Sequence, residues 1–327
     1  MSGKSVVTDR VVLRTDLLDI EVFRSGRRGG WPVVLLHGFP YDVTAFDDVA
    51  PMLVDAGADV IIPSLRGFGG TRFLDAAAMR SGQQAALGRD LLALLDGLEV
   101  ESAVVAGYDW GGRAACIAAA LWPHRAVGLV SVNGYNIQDI PLAGRPTEPV
   151  AERRSWYRYY LQSARGRAGL AANREALSRL LWEEWSPSWV GLGQAHARSV
   201  PSFHNPDFVD VVVHSYTHRD GLIAGDPRYD DDEALLAEQP VVGVPTVLLD
   251  GADDGVSPPR ERSDFEPHFS SLIDHQVLAG VGHNLPQEAP AAFADAVLAV
   301  RTGIRGESSV KLIAPRRRRH SGGAASG

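Results

Sequence analysis

A single cysteine, Cys116, stands in the 327 residues, so the chain can form no internal disulfide, and no cluster of cysteine and histidine has the spacing of a zinc site. Lysine is almost as scarce. Lys4 and Lys311 are the only two, and arginine carries the rest of the positive charge. No apolar run reaches the length needed to cross a bilayer. Met1–Arg14 holds no apolar core of signal-peptide length ahead of a small-residue cleavage site. A cytoplasmic protein with no membrane partner is therefore expected. The chain also lacks a basic face: its net charge is −8, spread rather than blocked. That argues against nucleic acid as the main partner, because phosphate binding needs clustered positive charge. The local exception, Arg316–Arg319, lies in a Gly/Ser/Ala/Arg-rich stretch, residues 306–327, that reads as a disordered tail.

What remains is ordinary globular composition, 45% hydrophobic and 22% charged, in a chain long enough for one large domain with an inserted subdomain. Val11–Arg14 and Leu18–Phe23 alternate around a short turn and predict a two-strand entry to a sheet. Short apolar runs then predict buried strands at Val33–Leu36, Val60–Ile62, Ala103–Ala106, Leu129–Val132, Val247–Leu249 and Gln276–Leu278. Helical spacing fills the intervals at Ala45–Ala56, Gln83–Leu95, Gly111–Trp122 and Ala289–Val300. Such alternation indicates an α/β fold with a mainly parallel sheet and helices on both faces. It breaks between about Gly134 and Gln239, a stretch rich in Trp, Tyr and Arg. There Val150–Ala171, Arg174–Trp185 and Pro206–His218 read as helices of an inserted cap. The expected organisation is core at 1–133, cap at 134–239, and core again at 240–305.

The chemistry-bearing signal is Gly107-Tyr108-Asp109-Trp110-Gly111. It follows a buried strand and opens a helix, the setting of a nucleophile elbow. Glycines permit the tight, strained turn that lifts the middle side chain above the sheet. An N-cap aspartate on an ordinary strand–helix turn would look the same in isolation. Two partners at later strand ends argue for more. Asp254 lies in Gly251-Ala252-Asp253-Asp254-Gly255, and His283 in Gly280-Val281-Gly282-His283-Asn284. Nucleophile, acid and histidine then stand in the chain order of a Ser/Asp-type hydrolase sheet. Asp139, soon after the fourth strand, is the alternative acid. His37-Gly38-Phe39-Pro40 supplies a loop whose Phe39 N–H can join that of Trp110 in an oxyanion hole. His37 itself reads as structural more than catalytic, although it lies among the candidate substrate contacts.

These motifs, with Leu65-Arg66-Gly67-Phe68-Gly69-Gly70, resemble the epoxide hydrolase and haloalkane dehalogenase branch of the α/β-hydrolases, over nearly all of Val11–Val300. The His-Gly-Phe-Pro form and the Arg-Gly-Phe-Gly-Gly loop resemble epoxide hydrolases best. The resemblance implies no cofactor and no metal. It implies a covalent ester on Asp109, cleaved by water that His283 and Asp254 activate. A carboxylate attacking a saturated carbon gives a stable ester, so an epoxide or carbon–halogen carbon is the expected electrophile, and an ester or lactone substrate is disfavoured. Similarity to epoxide hydrolases places the first proton-donating tyrosine at Tyr157. The second falls on His218, with Tyr216 two residues earlier. A halide would need N–H donors instead, from Trp110 or from cap tryptophans such as Trp156, Trp182 and Trp185. Dehalogenases of fluoroacetate carry two arginines after the nucleophile, of which only Arg113 is present. The aromatic cap suggests a small apolar or aromatic substrate. A non-catalytic receptor on the same fold has no need of Asp254 and His283.

Overall fold

The computed structural model describes residues 8–311. Nine strands form one sheet: β1 (Thr8–Arg14), β2 (Leu18–Gly26), β3 (Trp31–Leu36), β4 (Ala58–Pro63), β5 (Arg72–Phe73), β6 (Ala103–Gly107), β7 (Ala126–Val132), β8 (Thr246–Gly251) and β9 (Leu272–Leu278). Their spatial order is β1-β2-β4-β3-β6-β7-β8-β9, with the two-residue β5 on β2. The entry hairpin pairs antiparallel, and every neighbour from β4 to β9 is parallel. The central strands read as unbroken apolar runs because both faces are covered: β4, β6 and β8 are buried at every residue.

The core helices are α1 (Val49–Asp55), α2 (Gln84–Gly97), α3 (Asp109–Leu121) and, after the cap, α11 (Arg262–Phe265), α12 (Leu285–Glu288) and α13 (Pro290–Lys311). Helices α2 and α3 pack together, as do α1 and α13, and α3 and α13 both lie against β6 and β7. The expected helix at Ala45–Ala56 is two elements. Asp42 caps a 3-10 turn at Val43–Phe46 before α1 begins. Helix α13 runs to Lys311, into the stretch expected to be a tail, and residues 312–327 lie outside those described.

Between β7 and β8 the described chain forms α4 (Pro149–Arg154), α5 (Trp156–Leu161), α6 (Ala164–Ala172), α7 (Arg174–Trp185), α8 (Leu192–Phe203), α9 (Phe208–His218) and α10 (Asp230–Ala237). The single helix expected over Val150–Ala171 is three; it breaks at Ser155, and again at Ser163, whose side chain accepts the Gly166 N–H and starts α6 afresh. Gly166 lies so near the Tyr160 carbonyl that a Cβ would sit 1.6 Å from its oxygen, which requires glycine at this reversal. Helix α8 escapes the sequence pattern because Gly193 and Pro201 interrupt it.

Polar bonds fasten this helical layer to the core. Trp182 Nε1 donates to the Pro40 carbonyl at 2.8 Å, and Ser199 to Asp42 at 2.7 Å. Asn205 donates to the carbonyls of Phe68, Gly69 and Thr71. Within the core, the Arg66 guanidinium grips both Asp90 oxygens at 2.6 Å and the Ser81 carbonyl, and it reaches across to the Tyr229 hydroxyl of the helical layer. Its side chain is fully buried. Removing one partner of such a pair leaves an uncompensated charge, so Asp90→Ala should cost about 3–5 kcal/mol of stability. Urea unfolding of the variant checks this; a midpoint equal to wild type would show that Arg66 does not depend on Asp90.

Candidate active site

The site begins at the turn between β6 and α3. Asp109 has a φ of 51°, in the left-handed region that a side chain adopts only under constraint. The turn closes because its neighbours lack side chains. A Cβ on Gly111 would lie 1.9 Å from the Leu36 carbonyl oxygen, and one on Gly38 2.4 Å from Asp109 Oδ1. The Phe39 N–H donates to Asp109 Oδ1 at 2.7 Å. Trp110 is the second residue of α3, so its N–H is one of the first-turn donors without an intrahelical acceptor. Asp109 Oδ2 faces His283 Nε2 at 3.9 Å, too long for a direct hydrogen bond.

Behind the histidine, His283 Nδ1 meets Asp254 Oδ2 at 2.7 Å. Asp254 is itself held by the Val256 and Ser257 amides at 2.9 and 2.7 Å and by Asn133 Nδ2 at 3.0 Å. Asn133 follows β7, and sequence reasoning missed it, although the rule that sites gather at strand C-termini pointed to its position. Asp139, the alternative acid, accepts the Leu142 N–H at the surface and caps a 3-10 turn. It is not His283's partner.

Charge follows from this geometry. Burial alone would favour neutral His283, but Asp254 and Asp109 outweigh it and raise its pKa to about 10. Burial likewise opposes ionisation of Asp109, yet His283, Arg113 and the Phe39 amide hold it below the ordinary carboxylate value. The two acidic neighbours therefore favour the protonated imidazole.

The cap supplies the roof. Tyr157 and Tyr216 are both buried, their rings 5.3 Å apart and perpendicular. Tyr216 lies 5.4 Å from Phe39 and 5.9 Å from Trp110 by ring centroids. Trp185 packs 5.0 Å from Tyr157 and 5.2 Å from His283. Its carbonyl accepts the His283 N–H at 3.1 Å. The remaining candidates lie elsewhere. His218 is two residues from Tyr216 on α9, about 200° round the helix, and stacks on His214 at 5.6 Å. Trp156 donates to Glu184 in an exposed contact. Trp182 serves the Pro40 anchor and packs on Tyr41. His37 braces its own loop, bonded to Gly38 O and the Leu65 N–H, and burial lowers its pKa to about 4, which keeps it neutral. A cavity of about 690 Å³ lies apart from all this, between Glu21, Asp42, Gly70 and Ser202.

A family model for the alpha/beta hydrolase fold matches residues 32–290. Epoxide hydrolase A of Mycobacterium tuberculosis (strain H37Rv) is 26% identical over 329 residues, covering 91% of this chain and 98% of the relative. An epoxide hydrolase of Caballeronia sordidicola is 26% identical over 294 residues, covering 82% and 87%. Among solved structures, a candidate epoxide hydrolase from Klebsiella pneumoniae superposes with a TM-score of 0.87 at 39% identity, covering 90% of this chain and 97% of that one.

The raised pKa of His283 also has a consequence for stability. Its ordinary value is 6.5 and its folded value about 10. The stabilisation is thus complete below about 6.5 and is lost as pH rises through about 10. Wild type should lose more stability between pH 7 and pH 10 than His283→Gln. Denaturant midpoints at the two pH values measure the difference, and equal losses would contradict the charged resting state.

Proposed function

The chain belongs to the alpha/beta hydrolase family, and from that membership we propose that this enzyme hydrolyses epoxides to diols through a covalent ester on Asp109. The observation that carries the reading is the pairing of an aspartate at the elbow with two buried cap phenols, Tyr157 and Tyr216, that converge on the same space. An epoxide needs both: a nucleophile for the carbon and an acid for the oxygen. Epoxide hydrolases among the relatives support the assignment.

In the first half-reaction Asp109 Oδ2 bonds to an epoxide carbon. The carbon–oxygen bond breaks, and the departing alkoxide takes a phenolic proton from Tyr157 or Tyr216. Oδ1, held by the Phe39 N–H, becomes the ester carbonyl oxygen. Esterification removes the Asp109 charge, one of the two that keep His283 protonated. The imidazole pKa then falls, His283 gives up its proton, which returns by way of water to the tyrosinate, and the neutral imidazole, oriented by Asp254, becomes a base. It deprotonates a water that attacks the Asp109 carboxyl carbon. The oxyanion that forms on Oδ1 is stabilised by the Phe39 and Trp110 amides. Collapse releases the diol and restores the carboxylate. No metal or cofactor enters these steps. The aromatic lining of Phe39, Trp110, Trp185 and the two tyrosines suits a small apolar or aromatic substrate.

A second reading has its own support. The indole N–H groups of Trp110 and Trp185 are buried without hydrogen-bond partners among the described residues, and such donors suit a departing halide. The two readings separate experimentally. With an epoxide, Asp109→Asn should be inactive from the outset, and His283→Gln should accumulate the ester, visible by intact mass. Tyr157→Phe and Tyr216→Phe should each slow alkylation by about a hundredfold, while His218→Gln leaves it near wild type. Halide release from a haloalkane panel, insensitive to both tyrosine variants, would replace epoxide hydrolysis with dehalogenation.

A further inference from the structure

Beside the two phenols lies positive charge that the steps above leave unused. Arg113 is one turn beyond Asp109 on α3, and Arg219 is three residues beyond Tyr216 at the end of α9. Helical spacing sets each on the face of its partner. The two guanidiniums converge on one acceptor: the Gln138 side-chain oxygen, in the amide orientation that satisfies both, accepts from Arg219 Nε and Arg113 Nη2 at 3.3 Å each. Arg113 is 6% exposed and has no ion-pair partner among the described residues. Arg219 finds Asp220 only at 3.9 Å. That carboxylate is already taken by Arg158 and by Gln162 Nε2 at 2.5 Å. Arg158 and Arg219 thus share Asp220, while the nearest acid on Arg113's own helix is Asp109. Arg219 is partly exposed and only loosely paired, so its charge is free to act on a negative charge that forms on the phenol one helical turn away.

We propose that Arg219, with Arg113, is a positioning charge for proton transfer, stabilising the tyrosinate formed when Tyr157 or Tyr216 protonates the leaving alkoxide. The inference rests on the epoxide-opening reading, and its charge balance follows from it. One negative charge leaves Asp109 as its Oδ2 bonds to carbon; the ring oxygen gains an electron pair and takes the phenolic proton; the charge ends on the phenol oxygen. Burial holds both phenols above their ordinary pKa, and Arg219 and Arg113 act against that rise. Arg113, one turn beyond Asp109 on the same helix, also acts to lower the Asp109 pKa. Fixed cations placed where charge develops need no reorganisation at the moment of reaction.

The test measures single-turnover alkylation by rapid quench and intact mass, for styrene oxide and for a trifluoromethyl-substituted epoxide whose alkoxide needs less protonation. Arg219→Gln should slow styrene oxide opening by about tenfold or more, with a smaller loss for the fluorinated substrate. Arg219→Lys, which keeps the charge, should recover part of the rate. If Arg219→Gln fails to fold, Arg113→Gln is expected to give the same substrate split. An equal loss for both substrates would make the arginines structural and overturn the proposal. So would an effect confined to the KM of carboxylate-bearing epoxides, which would make them a substrate-anion site. If Tyr157→Phe and Tyr216→Phe are themselves harmless, the epoxide reading has failed. If the tyrosines matter and both arginines do not, only this inference has.

Discussion

Everything at the strand C-termini is arranged around one backbone constraint, the left-handed turn at Asp109. The turn brings α3 against β3 so closely that Gly111 and Gly38 have no room for a side chain. In return it lifts the carboxylate clear of the sheet and points Oδ1 at the Phe39 N–H. The loop carrying Phe39 is in turn braced by His37 and clamped from above by Trp182 on Pro40. A slack turn would lose the carboxylate's orientation and the loop's position together.

The electrostatics build on that turn. His283 sits between two carboxylates, one fixed by three donors and the other held by a single amide at the elbow. Two negative charges keep the imidazole protonated; one leaves it closer to neutrality. In the proposed reaction, neutralising Asp109 removes one of these charges and favours the base form of His283. The rigid member is Asp254, whose donors come from the loop after β8 and from Asn133 beyond β7. Those two strands are adjacent and parallel, which explains how residues far apart in sequence share one carboxylate.

The cap acts through faces of helices. Tyr157 on α5, Trp185 on α7 and Tyr216 on α9 reach the same volume, while Trp156 and His218, neighbours of these residues in sequence, do not. The seam is tied by the Arg66 bond to the Tyr229 hydroxyl and by the bonds of Asn205 and Trp182. This polar fastening suits a roof that must hold its aromatic side chains in register over a polar floor.

Strand and helix periodicity, the elbow glycines and the order Asp109, Asp254, His283 are local or one-dimensional properties, so the sequence by itself determined the α/β core and pointed to its strand-end cluster. It also marked where the sheet pattern stops. It did not decide between Tyr216 and His218, because both lie on one helix and only packing against Phe39 and Trp110 selects the face that turns inward. Nor did it reveal Asn133 behind Asp254, or Arg113 and Arg219 meeting at Gln138. Those contacts join segments that are distant in sequence and carry no periodic signal. Only the tertiary structure decided them, because the energy of a buried charge or hydrogen bond depends on which groups surround it in space.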